Sequence, residues 1–453
     1  MSAPAAAGPA ASAVAAGVTA LSGRTAARTV SWAAWLFALL ILVQRFSVPA
    51  MPVPMLLPVC LTWVLLAWRA GVVEIDVRRL VFWSLAVAAT GAAMLVQTGV
   101  HPQPVVSVTS WALIHVVWLP AVVRFVDRRP STFVALLHRV VAICVALSVA
   151  CVFMIGIQFA GVAYADYLEA LVPETFLEQG FTIASPISFG SPIYRANAWI
   201  GLEPSTVSYQ IGIGILAGIL VRARMRWFLV MVAGIFATVG ASGFVLIGLG
   251  VLALLAFPAR RSLLRVIAPV VVGGGAALAT PVGQILLARG ENAGEDESAS
   301  LRAVQPYTEL WPHWSTDLTT ALLGGGAGSS QRIVDVTIEQ GLVPLPAKIF
   351  YDYGLIAGLV LAAFLLFCYV DSLSPTLAFA FMVNLWTFQP GSNIPVFVVP
   401  VLLLVTMWAP RSTPRLEDHP APPAPPPPVA ARRRRRGPLP ASAWAVVGGG
   451  GWR

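Results

Sequence analysis

The stretch RANAWIGLEPSTVSYQIGIGILAGIL, Arg195 to Leu220, decides how this chain is read. From Ile211 onward it carries no charge and is apolar enough to sit in hydrocarbon as a helix. Just before it stand Arg195, Trp199 and the triplet Glu203-Pro204-Ser205, with the polar trio Ser208, Tyr209 and Gln210 inside its first turns. Polar chemistry gathered at the threshold of a span marks either a helix start or a site facing the membrane surface.

The rest of the chain repeats the apolar half of this pattern. Of 453 residues, 58% are hydrophobic and only 11% charged, which excludes a soluble domain. Apolar runs of about 15 to 25 residues recur between Val30 and Pro410 without the alternation of barrel strands. The expected fold is an all-α polytopic membrane protein of about twelve transmembrane helices. They are placed near 30–44, 50–68, 80–97, 105–123, 137–158, 206–221, 227–240, 243–257, 264–288, 348–370, 374–389 and 393–409. Within 227–257 the break VGASG admits one long helix or two short ones. Arginines at 222, 224 and 226 before it and at 260, 261 and 265 after it require both ends on one side, hence two.

The same charge rule orients the whole chain. Of its 29 basic residues only six fall in the segments that this parity places outside: Arg45, Arg195, Arg289, Arg302, Arg332 and Lys348. Both termini are expected in the cytoplasm, as an unstructured Ala-rich tail at 1–29 and a Pro- and Arg-rich tail at 411–453. No cleavable leader is evident in the first of these. Between the tails, 30–410 forms a membrane domain with two long outer loops, 159–205 and 289–347, which hold thirteen of the twenty carboxylates. The spans themselves offer almost no ionisable group, His115 being the clearest exception. The four cysteines fall in apolar runs and read as small buried residues, without metal-ligand spacing. Nothing points to nucleic acid.

Each outer constellation has two readings. Glu203-Pro204 suits a helix start, because proline is favoured in the first turn and a carboxylate opposes the helix dipole; it also suits catalysis beside Arg195. Outer arginines run against the topogenic bias, and a guanidinium fork fits phosphate oxygens. Arg195, Arg302, Arg332 and Lys348 are therefore candidate diphosphate ligands, with loop ion pairs as the alternative. Tyr194 and Trp199 are candidate substrate contacts. LLGGGAGSS at 322–330 offers backbone N–H groups to an anion, but lacks the Lys-Ser/Thr ending of a nucleotide loop; it equally suits close passage of backbone past a helix. His313, in ELWPHWSTD, is a candidate base with tryptophans on either side.

Taken in order, RANAWIGLEPSTVSYQIGIGI, TVGASGFVLIGLGVLALL, LLGGGAGSS and YDYGLIAGLVLAAFLLF resemble the bacterial O-antigen polymerase and O-antigen ligase group of integral membrane glycosyltransferases. The likeness covers roughly 190–370. It implies a C-type glycosyltransferase fold with a periplasmic site in the inner membrane, acting on sugars linked to undecaprenyl diphosphate. The ligase branch carries a His-Asn type segment shortly before the tenth helix; here LVPLPAKIFYDYG has no histidine, which favours a polymerase of exopolysaccharide or O-antigen repeat units.

The expected reaction is attack by a hydroxyl of one lipid-linked oligosaccharide on the anomeric carbon of another, releasing undecaprenyl diphosphate. That leaving group needs charge stabilisation, a task for Arg195 with Arg302 or Arg332. Glu203 orients Arg195 or acts as base, and His313 is the other candidate base. No metal or cofactor is called for, and a chain-length regulator is the expected protein partner. The alternatives are a ligase that transfers glycan to lipid A core, and a non-enzymatic flippase or transporter.

Overall fold

The computed structural model describes residues 9–49, 53–100, 106–187, 191–256, 304–337, 343–389, 394–411 and 415–416, with side chains from residue 23. The described residues are mostly helical. In chain order the helices are α1 (Pro9–Val43), α2 (Leu56–Arg69), α3 (Val77–Val100), α4 (Val108–Trp118), α5 (Pro130–Phe159), α6 (Tyr167–Leu171), α7 (Pro204–Leu220), α8 (Met225–Thr238) and α9 (Ala241–Ala256). They continue with α10 (Gln305–Thr316), α11 (Leu318–Leu323), α12 (Ser329–Thr337), α13 (Leu345–Phe367), α14 (Pro375–Val383) and α15 (Pro395–Leu404). The expected span 264–288 and the tail from 417 lie outside the described residues. Each of the other expected spans overlaps a helix among the described residues.

Among the described residues, four helical segments are long and apolar enough to cross a membrane: Gly23–Val43, Val77–Val100, Pro130–Phe159 and Leu345–Phe367. α2, α7, α8, α9 and the segments Val108–Val122 and Pro395–Trp408 are apolar but shorter. α1 begins at Pro9, inside the segment expected to be an unstructured tail. Its alanine-rich sequence is a strong helix former, and a proline at the first helical position costs no hydrogen bond.

Two sets of contacts define the ends of the bundle. At one, the strands β1 (Val73–Ile75) and β2 (Val123–Phe125) pair antiparallel, tying the α2–α3 and α4–α5 connections together. Arg124 bridges Glu74 at 2.8 Å and Asp76 at 3.3 Å, and Asp127 holds Arg129 and the Thr132 hydroxyl. Arg79, only 2% exposed, donates to the Thr406 carbonyl at 2.6 Å, and Arg128 to that of Pro410 at 2.9 Å. At the opposite, loop-bearing end the α1–α2 connection meets the segment after α5. The Ser47 N–H donates to Phe176 O, the Glu178 N–H to Arg45 O, and Phe46 pairs with Leu177.

α7 is the axis of the packing, buried almost all round between α5, α8 and α9. The α8–α9 junction resolves the ambiguity in VGASG in favour of two helices, separated by Val239 in the left-handed region (φ 50°) and Gly240. The junction presses on the first turns of α7. The Ser208 hydroxyl donates to Gly240 O at 2.7 Å and accepts from the Gly243 N–H at 3.1 Å, while Ser242 Oγ donates to Ser205 O at 3.0 Å. A Cβ on Gly243 would lie 2.3 Å from Ser208 O, so only glycine allows this approach. Ser208 of the polar trio is therefore occupied in packing.

Gln210 is occupied too. Its Nε2 donates to Gln44 Oε1 at 3.1 Å, and the Thr206 hydroxyl reaches the same oxygen at 3.4 Å, joining α7 to α1. Deep in the bundle, such side-chain pairs replace the water that lipid cannot supply. His115 shares Thr90 Oγ1 with Trp111, at 2.8 and 2.9 Å, and is a packing residue. All four cysteines are buried and free.

Candidate functional site

The threshold of α7 is organised by Glu203. It is the N-cap residue, in extended conformation, and forms a reciprocal capping box with Thr206, whose hydroxyl accepts the Glu203 N–H at 3.1 Å. Its carboxylate also accepts from the Thr182 N–H at 3.2 Å and the Ser205 hydroxyl at 2.7 Å. Every one of these bonds fixes backbone or first-turn geometry. The helix-start reading of Glu203-Pro204-Ser205 accounts for the bonds to Thr206 and Ser205, and the Thr182 bond ties the cap to the 182–187 segment.

Arg195 is tied to the same 182–187 segment as Glu203. Its N–H donates to Ser185 O at 2.9 Å, three residues beyond the Thr182 that Glu203 holds, and Pro186 pairs with Tyr194. Gln158, at the end of α5, grips Tyr194 from both sides: Oε1 accepts its N–H at 2.8 Å and Nε2 donates to its carbonyl at 3.1 Å. The Ala196 N–H donates to Ala237 O at the end of α8. The backbone under Arg195 is thus held from α5, from α8 and from the 182–187 segment.

The side chains around it differ in how far they are committed. Arg45 forms a bidentate pair with Asp166, at 2.8 and 2.7 Å, with the two side chains 1% and 9% exposed, and donates to Trp199 O at 3.0 Å. Burial alone would raise the Asp166 carboxyl, but the Arg45 guanidinium and backbone N–H groups outweigh it and hold the group below the usual range. Tyr164 is pushed up to about 12 by burial first and the Asp166 charge second. Its ring stacks on Tyr194 at 5.0 Å, and Trp199 lies against Phe153. Among the described residues the Arg195 guanidinium has no ion pair, and its buried Nε has no hydrogen-bond partner. The Arg45 Nε is equally without a partner; among the described residues, what separates the two arginines is the Asp166 carboxylate on Arg45.

Glu178 was not singled out from the sequence. Among the described residues its buried Oε2 has no hydrogen-bond partner, and burial raises the carboxyl to about 7. Its N–H is fixed to Arg45 O, which places it in the same cluster. No local motif announces it; only the fold, by covering it, distinguishes it from Glu174.

The glycine loop and α13 form a second cluster at this end. α13 is broken at Gly354, whose φ of 69° and ψ of 179° release the carbonyls of the preceding turn. The loop takes them: Gly325 N–H donates to Tyr351 O at 2.8 Å and Gly326 N–H to Asp352 O at 3.1 Å, with Gln97 Nε2 on the latter at 3.0 Å. The Asp352 carboxylate, fully buried, fills the anion seat. It accepts from the Gly328 N–H at 3.0 Å, the Ser330 N–H at 2.9 Å, the Ser329 hydroxyl at 3.3 Å and Lys348 Nζ at 3.1 Å.

Both expectations for LLGGGAGSS meet here. The loop passes close to a helix, a Cβ on Gly324 falling 2.5 Å from Asp352 O and Gly354 N. It also cradles an anion, but one that the chain supplies itself. Lys348 is consequently buried and paired, held by Asp352 and by Ser110 Oγ at 3.2 Å, and is not a free diphosphate ligand. The expectation of almost no ionisable group in the spans beyond His115 passes over Asp352, which lies within 348–370 and pairs with Lys348 at its start. The four-residue spacing of Lys348 and Asp352 in an apolar run was the signal available.

The remaining candidates are scattered. His313 is exposed on α10, beside the Trp311–Trp314 pair (5.5 Å), and Arg332 is exposed on α12. α10 and α12 pack with the start of α13 in a small separate core of Leu310, Val334, Val343, Ala347 and Tyr351. Arg302 and Arg289 lie outside the described residues.

No family model matches the chain, and no curated protein sequence matches it.

Proposed function

We propose that this chain is an inner-membrane glycosyltransferase that polymerises undecaprenyl-diphosphate-linked repeat units of an exopolysaccharide or O-antigen, with the loop-bearing end facing the periplasm. The observation that carries the proposal is Arg195: a permanent charge on a clamped backbone that meets no carboxylate among the described residues, while Arg45 is neutralised by Asp166. A fixed, unpaired guanidinium is what a departing diphosphate requires, because preorganised charge stabilises the transition state without reorganisation. In this reading Glu203 holds the threshold of α7 in place. Glu178, whose carboxyl burial raises to about 7, accepts the proton of the attacking hydroxyl. Tyr194 and Trp199 border the sugar.

The test is reconstitution of the purified protein in lipid with synthetic undecaprenyl-diphosphate oligosaccharide as sole substrate, followed by product sizing. Wild type yields a ladder of lengthened glycan, and Arg195→Ala or Arg195→Lys yields single repeats at unchanged protein level. Polymer of wild-type length from Arg195→Ala removes Arg195 from the site. In cells, accumulation of long lipid-linked polymer on loss of the protein identifies a ligase instead.

A further inference from the structure

The bundle carries a second feature at the end opposite Arg195. There the turn after α13 and the start of α14 enclose a cavity of about 360 Å³. Its walls are apolar, formed by Leu366, Val370, Phe379 and Met382; Leu366 and Val370 are 41% and 54% exposed. Its rim carries Arg411 and Arg415. The Arg411 N–H donates to Asp371 O at 2.9 Å, and Leu416, next to Arg415, donates its N–H to Leu373 O at 3.1 Å, so both segments are tied to the turn after α13.

An apolar cleft capped by two guanidinium groups matches one kind of occupant, an acyl chain joined to a negatively charged headgroup. We propose that this cleft binds an anionic phospholipid, its phosphate on Arg411 and Arg415 and part of one chain against Val370 and Met382. The location agrees: this end also holds Arg128 on the Pro410 carbonyl, and Arg124 and Arg129 in ion pairs with Glu74, Asp76 and Asp127, and arginines collect at the leaflet rich in anionic lipid. One group opposes the binding. Asp371 lines the same cleft, 56% exposed, its Oδ1 at 3.9 Å from Arg411 Nη2 in a loose exposed pair, so its carboxylate competes with a phosphate for that guanidinium.

That opposition supplies a test that misfolding cannot imitate. The full chain is purified in detergent, and its retention of phosphatidylglycerol and of phosphatidylcholine with identical acyl chains is compared by native mass spectrometry. Phosphatidylglycerol is expected to bind more tightly. Each arginine near an anionic headgroup is worth roughly 5-fold in affinity, so Arg411→Gln with Arg415→Gln lowers phosphatidylglycerol affinity by roughly 25-fold and leaves phosphatidylcholine unchanged. Asp371→Asn raises phosphatidylglycerol affinity, while Val370→Trp, which fills the cleft without altering charge, lowers it. Equal retention of the two lipids overturns the proposal, as does an unchanged phosphatidylglycerol affinity in the double arginine variant. Displacement of the lipid by equimolar inorganic phosphate also overturns it, since the cleft would then be a small-anion site.

Discussion

Lys348 and Asp352 form a buried ion pair one helical turn apart, Nζ to Oδ2 3.1 Å, and the glycine loop closes over the carboxylate with the N–H groups of Gly328 and Ser330. The loop and the broken helix each satisfy what the other leaves open. The break at Gly354 frees carbonyls for Gly325 and Gly326, and Asp352 consumes the donors that would otherwise point at nothing.

Removing one partner of this pair leaves a buried charge uncompensated, which costs about 3–5 kcal/mol. Asp352→Ala and Lys348→Met are each expected to destabilise the protein by that order. Lys348→Met combined with Asp352→Leu recovers part of the lysine's contribution, while the loop N–H groups stay orphaned. Thermal unfolding in detergent, with proteolysis between 324 and 330 as the local readout, checks it; additive losses in the double variant contradict the pairing.

Gly243→Ala places a methyl against the Ser208 carbonyl, and backbone atoms cannot step aside. Overpacking of this kind costs about 1–3 kcal/mol. A lowered unfolding temperature is expected for this variant, with Gly248→Ala as control, because a Cβ at Gly248 meets nothing within 4 Å. Equal behaviour of the two variants would show that α7 and α9 are not in contact there.

Glu203→Ala removes the cap of α7 and its bond to Thr182, for a loss of about 1 kcal/mol. Glu203→Gln keeps an acceptor oxygen and the side-chain shape, so near-normal stability and polymer length are expected. If Gln alone abolishes polymer at unchanged stability, the carboxylate charge takes part in the chemistry.

Glu178 and Asp166 give opposite dependences of stability on pH. The raised Glu178 group binds more protons folded than unfolded, so its contribution is complete below the ordinary glutamate value of 4.5 and disappears as pH rises towards about 7. The depressed Asp166 group contributes above its ordinary value of 3.8 and is lost as pH falls through its lower folded value. Glu178→Gln is therefore expected to flatten the decline between about pH 5 and 7 and to raise the unfolding temperature at pH 8. A profile unchanged by Glu178→Gln would show that the carboxyl is not buried.

The membrane class and the positions of the helices were legible from residue order, since hydrocarbon tolerates only long apolar helices and charged residues mark their ends. The start of α7 was legible in the same way: Glu203-Pro204 encodes a cap through local geometry alone. The state of each cation was not. Nothing near Arg45 in the chain announces Asp166, 121 residues away, and nothing in LLGGGAGSS tells that Asp352 occupies its donors. Whether a charge is spent on a carboxylate or kept for a ligand depends on which distant segments share an end of the bundle, and that is fixed only when the helices pack.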